Sequence, residues 1–199
     1  MELNIPNYLI IIRIVLIPVF LVVFFLSDMD SFRWWATIIF SVASITDYFD
    51  GHLARKWGTS SNFGKLMDPL ADKILVSAAL VALVYTQELA AWVVIVIISR
   101  EFWVTALRML ALEQGKEVIA ASMWGKIKTT LQMTMIIVHI FGLARPILVQ
   151  MDFFAGLSNF SWIFPLFGAI LAYLAVLATV ASAVIYTLNA KDVFLAKSK

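Results

Sequence analysis

Asp47-Tyr48-Phe49-Asp50-Gly51-His52-Leu53-Ala54-Arg55, then eight residues, then Gly64-Lys65-Leu66-Met67-Asp68-Pro69-Leu70-Ala71-Asp72: four aspartates stand in this stretch of an otherwise apolar chain. An apolar run from Arg33 to Leu53 leads into it, and another from Leu66 to Thr86 leads out. The stretch therefore joins two long apolar segments through a short link. A carboxylate costs roughly 2.5–3.5 kcal/mol at the centre of a membrane helix. Aspartates clustered with glycines and an arginine therefore require a compensating partner, and a divalent cation on a phosphorylated substrate is the natural one.

Working outward, the 199 residues are 62% hydrophobic and 14% charged, with a mean hydropathy of +0.93. A soluble domain of this length cannot hide that much apolar surface. The chain reads as an all-α, multi-pass membrane protein with small loops, one membrane domain over residues 1–199 and no separate soluble one. A formal net charge of +2 gives no reason to expect nucleic acid, and the absence of cysteine excludes disulfides and thiolate chemistry. The first apolar run contains Arg13 and Pro18 and lacks a clear small-residue cleavage site, unlike a cleaved signal peptide.

Spanning a bilayer takes about 20 mostly apolar residues, and a spanning backbone must satisfy its hydrogen bonds internally. Six helices are expected, over Pro6–Leu26, Arg33–Leu53, Leu66–Thr86, Leu89–Leu110, Ala121–Leu143 and Ser161–Asn189. Arg55, Lys56 and Lys65 follow the second, Lys116, Lys126 and Lys128 follow the fourth, and Lys191, Lys197 and Lys199 follow the sixth. The opposite loops hold only Arg33 and Arg145 among several acids. The positive-inside rule then places both termini and the aspartate stretch on the cytoplasmic side. Trp34, Trp35, Trp92 and Trp162 fall near expected helix ends, as interfacial anchors do.

On helices, Asp47 and Asp50, three apart, share a face, as do Asp68 and Asp72, four apart. The short link makes the two helices antiparallel neighbours, so the two acidic faces are expected to oppose each other. Hard oxygen donors at this spacing suit Mg²⁺ or Mn²⁺ rather than zinc, and two ions are feasible. Gly51 and Ala54 keep the helix surface low for a bulky ligand, and Gly64 lets the third helix begin close to it. Arg55 offers a planar fork to phosphate oxygens. Pro69 is placed in the first turns of the third helix, where a missing N–H is tolerated.

The spacing D-x2-D-G-x2-A-R-x8-G-x3-D-x3-D, carried here by Asp47, Asp50, Gly51, Ala54, Arg55, Gly64, Asp68 and Asp72, matches the signature of the CDP-alcohol phosphatidyltransferase family at every specified position. The resemblance implies a six-helix membrane fold, a homodimer, and transfer of a phosphatidyl group from a CDP-linked lipid to an alcohol with release of CMP. Three further blocks resemble bacterial members that use glycerol phosphate: Asn4-Ile5-Pro6-Asn7 leading to Arg13, Ser99-Arg100-Glu101 with Thr105-Ala106-Leu107-Arg108, and Gly125-Lys126-Ile127-Lys128-Thr129 with Gln132. The sixth segment adds little beyond hydrophobicity.

The resemblance thus implies CDP-diacylglycerol as donor and sn-glycerol 3-phosphate as acceptor, at the cytoplasmic face of the cell's inner membrane. Asp47, Asp50, Asp68 and Asp72 would hold the metals. Asp47, Gly51, Ala54, Arg55 and Gly64 would contact the CDP group. Asp72 is also the expected general base toward the acceptor 1-hydroxyl. The acceptor phosphate needs a second cationic site, for which Arg100, Arg108, Lys126 and Lys128 are the candidates; Arg100 and Arg108, eight apart, are close to sharing a face.

Other readings compete. Lys126 and Lys128 also fit as plain positive-inside residues. Arg100 and Glu101 are adjacent and so point apart, each expected to pair with another helix. Arg13 either snorkels to the interface or serves the acidic cleft. His52 reads as a surface or supporting group, and His139 as a helix-packing hydrogen bonder. The same aspartates would also serve synthesis of cardiolipin, phosphatidylserine or phosphatidylinositol phosphate. A divalent-cation transporter also uses intramembrane carboxylates, but here they all lie toward one side. The DDxxD arrangement of prenyl-diphosphate enzymes is absent.

Overall fold

The computed structural model describes residues 5–26, 34–46, 62–114, 123–143 and 163–191. These described residues form six helices and no strand: α1 Ile5–Phe25, α2 Trp34–Thr46, α3 Asn62–Tyr85, α4 Ala91–Glu113, α5 Met123–Leu143 and α6 Ile163–Asn189. Each of the six expected segments coincides with one of them. The chief difference is at α3, which starts at Asn62 rather than near Leu66. Pro69 therefore lies inside the helix, past its first turn. It supplies no N–H to the Lys65 carbonyl, which is left free of its helical partner. Pro18 interrupts the ladder of α1 in the same way.

By its internal contacts the chain divides into two compact units, Met1–Glu88 with Ile136–Leu166, and Leu89–Met135 with Phe167–Lys199. In the first, α1 buries Ile10, Arg13, Ile17, Phe20 and Phe24, spaced by threes and fours along one seam. That seam packs along α3, whose buried side includes Ala71, Leu75, Ala79, Leu80, Ala82 and Leu83. The repeated alanines let the backbones approach closely. Phe25 at the end of α1 meets Tyr85 at the end of α3 edge-on, with ring centroids 5.1 Å apart, so the two helices run in the same direction. Phe20 meets Phe40 of α2 at 5.7 Å. Trp34 lies 5.8 Å from Phe141, and Phe141 5.6 Å from Phe164, which brings the start of α2, the end of α5 and the start of α6 to one level.

The end of α3 is a Schellman turn. Glu88 N–H donates to the Leu83 carbonyl at 3.0 Å and Gln87 N–H to the Val84 carbonyl at 3.0 Å. Gln87 takes the left-handed position, φ 61°, that this turn requires and that glycine fills most easily.

In the second unit α4 buries Val93, Val94, Ile97, Val104, Leu107 and Ala111. The buried strip of α6 is made mostly of small residues: Gly168, Ala172, Ala175, Ala178, Thr179 and Ser182. Contacts between these two helices advance together along both. Trp92 faces Tyr173, Arg100 reaches Ser182, and Leu107 and Ala111 cluster with Ala190. So α4 and α6 run parallel.

Apolar side chains cover the outside as well as the inside. Ile12, Val15, Val19 and Val22 of α1 are exposed, as are Leu166, Ile170, Leu174, Leu177 and Val184 of α6. The only charge on α1, Arg13, is wholly buried, which excludes its snorkelling outward. Hydroxyls largely satisfy themselves within their own helices: Ser44 donates to the Phe40 carbonyl, Thr105 to Glu101, Thr130 to Lys126, and Thr134 to Thr130. By length and composition α6, with 27 residues, is able to cross a membrane, while α1, α2 and α3 carry shorter apolar stretches, Ile10–Phe25, Trp34–Thr46 and Lys73–Tyr85.

Candidate functional site

Asp47, Asp50, Gly51, Ala54 and Arg55 lie outside the described residues, as does His52. Gly64, Asp68 and Asp72 occupy α3 at intervals of one turn. The backbone of α3 therefore sets Asp68 and Asp72 along one strip of its surface, in line with Gly64. Among the described residues no three His, Asp or Glu side chains converge on a point.

The expected second cationic site is described in full, and three of its four candidates come together. The centre is Glu101 of α4. Its Oε1 accepts from Lys128 Nζ of α5 in a very short ion pair, and from Arg100 Nη1 at 3.2 Å. Arg100 and Glu101 thus pair with each other across one peptide, and each also reaches a second helix, where divergent pairing alone was expected. The Lys128 side chain is 3% exposed and that of Arg100 10%. A lysine so buried needs a carboxylate partner, since desolvating its charge without one is far costlier. Lys126, two residues earlier, is exposed and has no place in this arrangement.

The sixth helix, which adds little beyond hydrophobicity to the resemblance in sequence, contributes polar groups to this cluster. Ser182 Oγ accepts from Arg100 Nη2. Tyr186 Oη accepts from Arg108 Nη2 at 2.9 Å. The Tyr186 ring is 1% exposed, and the guanidinium carbons of Arg100 and Arg108 lie 5.4 and 5.3 Å from its centre. Trp103 Nε1, between the two arginines in sequence, donates to Thr187 Oγ1 at 2.9 Å. The available signal in the sequence was the pair Ser182 and Tyr186, one turn apart among alanines and valines.

The buried donors of this cluster are not all used. Arg100 Nε and Arg108 Nε have no hydrogen-bond partner among the described residues, and neither do Gln132 Oε1 and Thr179 Oγ1. Arg100 borders a groove of about 440 Å³ between α4 and α6, walled by Ile95, Val96, Val180 and Val184, with Ser99 and Thr179 also on its lining. Among the described residues, Arg100, Arg108 and Lys128 gather around the carboxylate of Glu101 and the ring of Tyr186. Such a set of forked donors is chemically suited to a doubly charged oxyanion. His139 is buried in α5, as a packing histidine would be.

Comparison with known proteins places these observations in a family. The profile of CDP-alcohol phosphatidyltransferases matches residues 3–181. The CDP-diacylglycerol–glycerol-3-phosphate 3-phosphatidyltransferase of Bacillus subtilis (strain 168) is 46% identical over 144 residues, covering 65% of this chain and 72% of the relative. The protein of the same name from Haemophilus influenzae is 46% identical over 137 residues, 67% of this chain and 73% of the relative. That from Escherichia coli (strain K12) is 44% identical over 138 residues, 67% and 74% of the two chains.

Proposed function

Because the chain belongs to the CDP-alcohol phosphatidyltransferase family, we propose that it moves the phosphatidyl group of CDP-diacylglycerol onto the 1-hydroxyl of sn-glycerol 3-phosphate, giving phosphatidylglycerophosphate and CMP. The observation that carries the choice of acceptor is the name shared by relatives 44–46% identical to it. The forked donors of Arg100 and Arg108, gathered with Lys128, suit the phosphate dianion of that acceptor. Cardiolipin, phosphatidylserine and phosphatidylinositol phosphate synthesis gain no comparable support.

The site belongs at a membrane surface in this reading. Exposed faces of α1 and α6 made of valine, isoleucine and leucine, and hydroxyls bonded back to their own helices, both fit a lipid surround. Parallel pairing of α1 with α3 and of α4 with α6 fits helices that alternate in direction across a bilayer. Six spans in the cell membrane, cytoplasmic termini and a homodimer complete the proposal. The acyl chains then stay in lipid while the polar acceptor arrives from the cytoplasm.

Asp47, Asp50, Asp68 and Asp72 would hold one or two Mg²⁺ or Mn²⁺ ions, since a set of hard carboxylate oxygens, two of them a turn apart on α3, fits such cations. Bound there, the cation supplies charge neutralisation for the pyrophosphate oxygens. Gly51, Ala54 and Gly64 leave room for the cytidine diphosphate group, with Arg55 forked onto its phosphates. The Asp72 carboxylate accepts the proton of the acceptor 1-hydroxyl as that oxygen bonds to the lipid-side phosphorus. The bond from this phosphorus to the bridging oxygen breaks, and CMP leaves with the electron pair. Arg100 and Arg108 hold the acceptor phosphate so that its hydroxyl is the group presented.

The test is CMP release by the purified protein from CDP-diacylglycerol, with and without a divalent cation, against a panel of alcohols. Glycerol 3-phosphate is expected to be the preferred acceptor. Turnover with serine or inositol phosphate but not with glycerol phosphate would overturn the assignment.

A further inference from the structure

We infer that α6 positions the acceptor-binding arginines: Tyr186 and Ser182 fix the Arg108 and Arg100 guanidiniums in the orientation from which their remaining N–H donors grip a phosphate dianion. This rests on the acceptor site proposed above and adds to it two residues beyond the matched family region, which ends at residue 181.

An arginine side chain has many rotamers, so an arginine that must meet an anion gains from being held beforehand. Here each of the two is held by its own residue on α6. Ser182 and Tyr186 stand one turn apart and so emerge on the same side of the helix. Tyr186 Oη takes one hydrogen of Arg108 at 2.9 Å. Its ring lies 5.4 and 5.3 Å from the two guanidinium carbons. Ser182 Oγ takes one hydrogen of Arg100, and Glu101 takes another at 3.2 Å.

Both contacts leave donors over. The Nε–H groups of Arg100 and of Arg108 are buried with no acceptor among the described residues. A buried donor without an acceptor is costly, and its retention points to a group that arrives to take it. Two such donors on neighbouring guanidiniums suit a dianionic phosphate better than a neutral alcohol. Elsewhere hydroxyls such as those of Thr105 and Thr134 bond back to their own helices. Ser182 and Tyr186 instead accept across to α4.

The experiment is steady-state kinetics of the full-length enzyme in mixed micelles, with both substrates varied. Tyr186→Phe keeps the ring and removes the oxygen. It is expected to raise KM for glycerol 3-phosphate about ten-fold, with KM for CDP-diacylglycerol and kcat changed less than about two-fold. Ser182→Ala is expected to act in the same direction by about three-fold. In an Arg108→Ala background, Tyr186→Phe should add nothing, because the contact it removes is already gone. Equal rises in both KM values, or full additivity with Arg108→Ala, would mean a merely structural role and overturn the inference. An unchanged acceptor KM in Tyr186→Phe and Ser182→Ala, beside a raised one in Arg108→Ala, would overturn the inference and leave the acceptor site standing. An unchanged KM in Arg108→Ala would remove the site itself.

Discussion

The aspartate stretch and the arginine cluster carry charge into an apolar protein by opposite means. Asp47, Asp50, Asp68 and Asp72 are gathered by sequence, within two neighbouring segments and at intervals of three and four residues. Arg100, Arg108 and Lys128 are gathered by folding: their partners stand 27 to 82 residues away, apart from Glu101 beside Arg100. Local spacing can encode the proposed metal site because residues three or four apart share one side of a helix. Buried lysine and arginine need counter-groups from other helices, and their sequence separation carries no pattern.

The sharpest way to test that division is Asp72→Asn, which removes the proposed base while keeping shape and hydrogen-bonding capacity. Turnover is expected to fall by about 10²–10⁴-fold, the usual worth of general acid–base catalysis, with the protein still inserted in the membrane. CMP release at wild-type rate would place the base elsewhere. Next in size, Arg108→Ala should raise KM for glycerol 3-phosphate by about 10- to 100-fold through loss of a charged hydrogen-bond donor. An effect confined to CDP-diacylglycerol would assign Arg108 to the donor side. Glu101→Gln should be felt as stability, since it leaves Lys128 buried without its carboxylate. A loss on the order of 1–3 kcal/mol, below the range for fully buried pairs because Glu101 is 23% exposed, should appear as a lower Tm in detergent. An unaltered melt would mean that Lys128 is neutralised by another group. The smallest effect belongs to Trp103→Phe, which removes an exposed hydrogen bond to Thr187. Under about 1 kcal/mol of stability should be lost, with no change in acceptor KM. A rise in that KM would show that every polar α4–α6 contact, not only those at Ser182 and Tyr186, tunes the site.

Much of the helical architecture is legible in the chain because lipid-like composition leaves the backbone little choice. The segments expected from hydropathy fall on the helices found, from Ile5–Phe25 to Ile163–Asn189. Boundaries slip where hydropathy and helix formation part company. Asn62, Gly64 and Lys65 are polar or small, yet with Phe63 they are helical, and their inclusion moves Pro69 into the helix interior. Arg100, Arg108, Lys126 and Lys128 are also legible, as the cations that a second charged group on the substrate would need. Their arrangement is not. Nothing in Ser99-Arg100-Glu101 announces that Glu101 binds Lys128, because that depends on how α5 lies against α4. Ser182 and Tyr186 escaped notice for a related reason: among small residues a serine reads as packing and a tyrosine as an aromatic anchor.

The parallel course of α4 and α6 makes the hold on both arginines a single mechanical setting. Each residue of an α-helix turns its neighbours by about 100° and lifts them about 1.5 Å. One residue inserted in α6 ahead of Ser182 would swing Ser182 and Tyr186 together, releasing Arg100 and Arg108 in one stroke. The same insertion beyond Tyr186 would disturb neither. Length variation in this helix is therefore tolerable on one side of a sharp line and ruinous on the other.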